Sequence, residues 1–172
     1  KQLWDKGLVY EAERVLPYSW AAETPLSNFE TRLDDSYRER QDPALTLRFH
    51  VESPGADGPT EVWAWTTTPW TLPSNLALAV GPEIDYALVR LAPSAGGGER
   101  RVLIADAARE RFATELDGGT TITTRKGAAF GALPYRPLFP FFADTENAFR
   151  VLVADFVATD EGTGVVHLAP GF

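Results

Sequence analysis

The 172-residue chain has no cysteine and no methionine, and only two histidines. Without cysteine there is no disulfide framework, no thiolate metal site and no thiol nucleophile. The histidines, His50 and His167, do not form a pair at helical spacing, so no zinc constellation exists and neither a metal nor a cofactor is expected. There is no Gly-x-Ser-x-Gly elbow. A Ser/His/Asp triad would need His167, Asp155 and a serine that no spacing singles out. No apolar run is long enough to span a bilayer and no signal-peptide pattern opens the chain, which points away from a membrane and toward the cytoplasm. Basic residues are in deficit, 16 Lys and Arg against 24 Asp and Glu, giving a net charge of −8 and a pI near 4.8. Such a surface is no general phosphate-backbone clamp, although it is compatible with a nucleic acid held elsewhere that presents only its end. With no methionine and Lys1 in first place, the chain is expected to be a piece of a longer protein.

What remains is an ordinary globular composition, 44% hydrophobic and 23% charged, enough for one domain or one domain plus an arm. Lys1 to Val9 suggests a helix end stopped at Gly7. The segment to residue 44, with Ser19–Ser27 as loop and a charged stretch around Asp34, Asp35 and Arg38–Arg40, is expected to be an arm or linker. Residues 45–172 are expected to form the domain proper, its C-terminal end truncated. Leu45, Leu47, Phe49 and Val51 alternate with Thr46, Arg48 and His50, which makes a strand with His50 on the solvent side. Residues 53–59 are a turn signal, residues 92–98 a flexible tip. Strands are expected at 62–68, 76–80, 86–91, 101–105, 120–125, 150–158 and 165–172. Residues 150–158 look like a central strand, with Asp155 as either a hydrogen-bonded structural acid or a site residue. One helix is expected from Asp106, with Ala105, Ala108, Phe112 and Leu116 on its apolar face, a Gly118-Gly119 stop, and Arg109, Glu110 and Arg111 on a solvated face. Residues 126–139 form a Gly- and Pro-punctuated loop that lacks the ending of a phosphate-binding P-loop. The fold expected is mainly β, a barrel-like core with a few short α-helices.

The most distinctive stretch is Trp63-Ala64-Trp65-Thr66-Thr67-Thr68-Pro69-Trp70-Thr71-Leu72-Pro73-Ser74-Asn75. Aromatic and β-branched residues start it as a strand. Pro69 ends the pairing and holds Thr68 extended. Consecutive hydroxyls at such an end either lie solvated on an edge strand or hold a polar ligand and a positioned water. His167, in a strand apolar on both faces, is either satisfied core or the floor of a pocket. Hydroxyls, an amide, an imidazole and aromatic walls can bind a small polar substrate but include no obvious strong base.

Trp65 to Asn75, followed by Gly162-Thr163-Gly164-Val165-Val166-His167-Leu168-Ala169-Pro170, resembles the editing domains of isoleucyl-tRNA synthetases, the insertion called connective polypeptide 1. Leu3–Tyr10 and Glu23–Ser27 are similar to the flanking segment of that family, and Gly131–Leu138 to its middle. Pro69-Trp70 stands where the valyl and leucyl relatives carry Arg-Pro. The resemblance implies the class I synthetase editing fold and hydrolysis of valine from misacylated tRNA(Ile), with valyl-adenylate as a second candidate substrate. Isoleucine exceeds valine by one methylene, a difference worth about 1–3 kcal/mol in an apolar pocket, this family being the long-established case. A second, smaller sieve then supplies the missing accuracy. By resemblance, Thr66, Thr67 and Thr68 bind the terminal adenosine and aminoacyl group, and Thr68 orients the attacking water. Trp70 walls the pocket, Asn75 supports the nucleoside end, and His167 limits pocket size. A vicinal ribose hydroxyl assists the water. The partners implied are the 3′ end of tRNA(Ile) carrying valine and the rest of the parent synthetase, whose ATP-dependent activation signatures are absent here. The family's substrate-gripping aspartate falls past Phe172, so weak activity is expected of this piece alone. The alternative is a non-catalytic β-barrel module that positions the acceptor end, with Arg100, Arg101, Arg125 and Lys126 as candidate phosphate contacts.

Overall fold

The computed structural model describes residues 1–52, 54–55, 57–93 and 98–170. The turn and tip expected at 53–59 and 92–98 fall partly outside the described residues. The chain divides between Gln41 and Asp42.

Residues 1–41 hold one helical turn, α1 (Gln2–Asp5), followed by Gly7 at φ +67° as the expected stop. A two-residue hairpin pairs β1 (Tyr18–Ser19) with β2 (Thr24–Pro25). A short 3-10 turn, Glu30–Arg32, is entered through a capping box: the Ser27 amide donates to Glu30 Oε2 at 2.7 Å and the Glu30 amide to Ser27 Oγ at 3.2 Å. No residue of this segment is buried.

Residues 42–170 carry the core. A five-stranded sheet runs in the order β3 (Leu45–His50), β4 (Glu61–Thr66), β7 (Arg100–Ala105), β6 (Asp85–Leu91), β8 (Thr120–Lys126). A three-stranded sheet runs β10 (Val165–Leu168), β5 (Ala77–Val80), β9 (Arg150–Val153). Apolar residues of both sheets, including Phe49, Val62, Trp63, Leu78, Val80, Tyr86, Leu103, Ile104 and Val151, share one core. Bridges at Val51–Tyr135 and Pro134–Arg150 stitch the sheets together at one side.

The mainly β architecture stands, but the sheets do not close into a barrel. β4 is parallel to β7 only at Glu61 and Val62. Beyond that point β4 approaches β10 without a shared ladder, while the Ala105 amide bonds the Thr163 carbonyl at 2.9 Å.

Two local expectations need correction. Residues 106–116 do not form an α-helix: a 3-10 turn at Asp106–Ala108 runs into irregular turns. Ala108, Phe112 and Leu116 are buried as the apolar spacing requires, yet the backbone mixes three- and four-residue hydrogen bonds. Asp106 makes no capping bond and instead pairs with Arg109 at 3.1 Å. Arg109, Glu110 and Arg111 are exposed as expected, and the Arg111 guanidinium also donates to the carbonyls of Gly162 at 2.6 Å, Asp160 at 2.9 Å and Thr159 at 3.3 Å. Residues 150–158 are not a central strand, because β9 ends at Val153 and lies at its sheet's edge with Leu152 and Val153 exposed. Asp155 therefore sits in an exposed turn and makes no side-chain hydrogen bond among the described residues. His50 is exposed, as the alternation of its strand requires.

Candidate functional site

β4 delivers Thr66 into the interior, and the chain then turns at Thr68 into a 3-10 segment, Pro69–Ser74. Proline at its first position suits the turn, since no N–H is needed there. The turn is closed by side chains as well as backbone. The Thr68 amide donates to Thr66 Oγ1 at 3.0 Å, and Thr71 Oγ1 donates to the Thr68 carbonyl at 2.8 Å. Such local hydroxyl bonds compete with regular pairing and explain why the strand stops here.

The strand β10 pairs with β5 in antiparallel register, with His167 opposite Leu78. Gly162 and Gly164, at φ +61° and +72°, aim it. A Cβ at Gly162 would lie 2.8 Å from the Trp65 ring, so the backbone rests directly on that indole. The result brings His167 Nε2 to 2.9 Å from Thr71 Oγ1. Thr71 Oγ1 lies 3.4 Å from Thr68 Oγ1, which lies 3.2 Å from Thr66 Oγ1. On the far side Asn75 Nδ2 is 3.5 Å from His167 Nδ1, and Tyr135 donates its hydroxyl to Asn75 Oδ1 at 2.7 Å. One polar series thus runs from Thr66 through Thr68, Thr71, His167 and Asn75 to Tyr135.

Its members differ in access. Thr66, Thr71, Asn75, His167 and Tyr135 are buried, while Thr67 and Thr68 are exposed. Thr67 makes no side-chain hydrogen bond among the described residues, and Trp70 is 58% exposed beside it. Burial lowers the His167 pKa below the ordinary 6.5, so the ring is neutral at pH 7. The structure brings Thr66, Thr68, Asn75 and His167 into this one network and leaves Thr67 and Trp70 on its open side. Thr71 and Tyr135 were missed in the sequence. Thr71 sits three residues beyond Thr68, a spacing that a turn can bring together. Tyr135 lies 60 residues from Asn75, and no local signal could find it.

The basic residues named for phosphate contact are mostly engaged. Arg100 pairs with Glu61 at 2.8 and 3.0 Å, Arg101 donates to the Gly58 and Gly55 carbonyls, and Lys126 pairs with Asp85 at 3.1 Å. Among the described residues no group of three or more His, Cys, Asp or Glu side chains is placed to hold a metal, and no helix is long and apolar enough to cross a membrane.

The chain belongs to the class I tRNA synthetases (I, L, M and V), whose family it matches over residues 1–161. Within that class its similarity is to isoleucine-tRNA ligases along its whole length. It is 50% identical over 182 residues to that of Corynebacterium diphtheriae and 51% identical over 178 residues to that of Mycobacterium tuberculosis strain H37Rv. In each case all of this chain is covered, but it spans only 17% and 16% of those relatives. The fold is that of class I editing domains. The solved structure GlLeuRS-CP1 has a TM-score of 0.59 at 16% identity, covering 74% of this chain and 55% of its own. The Plasmodium knowlesi cytosolic leucyl-tRNA synthetase editing domain has a TM-score of 0.57 at 11% identity, covering 72% and 55%.

Proposed function

We propose that this chain is the proofreading domain of an isoleucine-tRNA ligase, hydrolysing the ester of Val-tRNA(Ile) and, as a second substrate, valyl-adenylate. The single observation that carries the reading is the convergence of the threonine row and the imidazole, separated by 96 residues in sequence yet joined at 2.9 Å through Thr71. The exposed hydroxyls of Thr67 and Thr68 are free on their outer side to bind the terminal ribose and the aminoacyl group, and Thr68 orients the water. Thr66 is buried behind them, and its hydroxyl bonds both the amide and the hydroxyl of Thr68, so its part is to fix Thr68 in place.

The neutral His167 is held on one nitrogen by Thr71 and faces an amide with the other, which makes it a wall rather than a base. It would exclude the longer isoleucine side chain. The missing base is then supplied by the vicinal ribose hydroxyl of the substrate itself. Trp70, exposed on the turn that carries Thr71, would help wall the pocket. The partners are the charged tRNA(Ile) end and the rest of the synthetase, in the cytoplasm, and the reaction needs no cofactor.

The engagement of Arg100, Arg101 and Lys126 by other groups weighs against the non-catalytic reading, which named them as phosphate contacts. Deacylation by the parent synthetase tests the proposal. Thr68→Ala is expected to lower hydrolysis of Val-tRNA(Ile) about a hundredfold, the scale of losing one positioning group for a reacting atom. His167→Ala is expected to begin hydrolysing Ile-tRNA(Ile). Unchanged rates and selectivity in both variants would refute the site.

A further inference from the structure

We infer that Asn75 and Tyr135 are positioning residues that determine which nitrogen of His167 carries the proton, and that they thereby lock the imidazole against Thr71. This differs from the nucleoside-supporting role that the resemblance implies for Asn75.

The argument is one of hydrogen-bond direction. The carbonyls of Ala77 and Leu168 can only accept, so the end of the Asn75 amide that faces them at 2.9 and 3.4 Å is the NH2 group. Its oxygen then faces Tyr135, whose hydroxyl must donate. One amide hydrogen is spent on Ala77. The other points between the Leu168 carbonyl and His167 Nδ1. A ring nitrogen opposed by an N–H is an acceptor, so Nδ1 is bare and the proton of the neutral ring sits on Nε2. The Nε2–H donates to Thr71 Oγ1, and the Thr71 hydrogen continues to the Thr68 carbonyl. With the other tautomer, Nδ1–H would oppose the amide NH2 and the whole series would lose its direction.

Tyr135 is the fixed end. It is 1% exposed, and its ring meets those of Phe49 and Phe149 edge-on at centroid distances of 5.2 and 6.0 Å. Those contacts pin the ring, so the hydroxyl cannot leave the amide. The amide cannot turn over without opposing its oxygen to Ala77.

The test uses 15N labelling of the histidine rings in the 172-residue chain, where exposed His50 serves as the reference signal. The unaltered chain is expected to show His167 Nδ1 unprotonated and Nε2 protonated at neutral pH. Asn75→Asp offers Nδ1 only acceptor oxygens, so Nδ1 is expected to gain a proton. Tyr135→Phe keeps the ring packing and removes only the hydroxyl. It is expected to leave Asn75 Oδ1 without its donor, to loosen the amide against His167 and to move the Nδ1 signal away from its position in the unaltered chain, so the inference stays testable even if the buried carboxylate of Asn75→Asp prevents folding. A protonated Nδ1 in the unaltered chain, or an Nδ1 signal unmoved by Tyr135→Phe, would overturn the inference.

Its consequence for specificity rests on the proofreading reading and is measured separately. In the parent synthetase, Tyr135→Phe is expected to reduce the ratio of kcat/KM for Val-tRNA(Ile) over Ile-tRNA(Ile) about tenfold through a misplaced wall. A shifted ring signal with an unchanged ratio would leave the tautomer lock standing and remove His167 from substrate selection.

Discussion

The two ends of strand β4 carry two polar networks built on opposite principles. At its start, buried Glu61 takes two hydrogen bonds from Arg100 and one from Trp63 Nε1 at 3.0 Å. At its end, Thr66 opens a neutral series of hydroxyls, imidazole and amide. Desolvation works against the Glu61 carboxylate, but the bonds from Arg100 and Trp63 outweigh it and hold its pKa below the ordinary 4.5. The charged network is closed, with its partners inside the protein. The neutral network is open at Thr67 and Thr68, which face solvent. A closed network holds a strand in place, whereas an open one has hydroxyls left to offer a ligand.

The sharpest way to break this contrast is to compare the two ends by stability and by rate. Glu61→Ala leaves the largely buried Arg100 guanidinium without its carboxylate. It is expected to cost about 3 kcal/mol in urea unfolding, the lower end for a broken buried pair because Arg100 keeps some exposure. The hydrolytic site geometry should persist wherever the chain remains folded. Thr68→Ala should do the reverse, losing hydrolysis as described above while changing stability by only about 0.5 kcal/mol, as an exposed side chain does. Equal losses of stability at both ends would erase the distinction.

Gly164→Ala tests how tightly the second network is aimed. Its φ of +72° disfavours a side chain, and the new Cβ would collide with that of Ala105. A loss of about 2 kcal/mol is expected by thermal unfolding, with weakened valine selectivity because the displaced strand carries His167. Normal selectivity would show that β10 is not aimed through this contact.

The smallest expected effect is in pH. Both His167 and Glu61 have folded pKa values below their ordinary ones, so each adds stability at high pH that is lost as pH falls. For His167 the loss begins below its ordinary value of 6.5, because the unfolded ring takes the proton first. For Glu61 it begins below 4.5. Unfolding free energies measured from pH 7 down to about 3 should decline in two stages, and His167→Gln should remove only the first. A first stage that survives the substitution would assign it to another group.

Much of this was legible in the chain itself. Alternation placed β3 and the exposure of His50, whereas β4 ends at Thr66, two residues before the stop expected from Pro69, because the Thr68 amide is spent on Thr66 Oγ1. The threonine row, Asn75 and His167 stand out in the sequence by residue type and motif. Other features were not legible. Ala108, Phe112 and Leu116 have a helical burial pattern that an irregular series of turns satisfies equally well. Apolar content on both faces of residues 150–153 did not distinguish an edge strand from a central one, because exposure is set by neighbours.

Local chemistry alone determined which hydroxyls stand in a row and that Pro69 cannot extend a ladder, because those depend on φ, on donors and on side-chain type within a few positions. Tertiary structure alone decided that Thr71, His167, Asn75 and Tyr135 meet. Hydrogen bonds between residues 60 to 96 positions apart depend on how two sheets pack, and no periodicity within either segment encodes that distance.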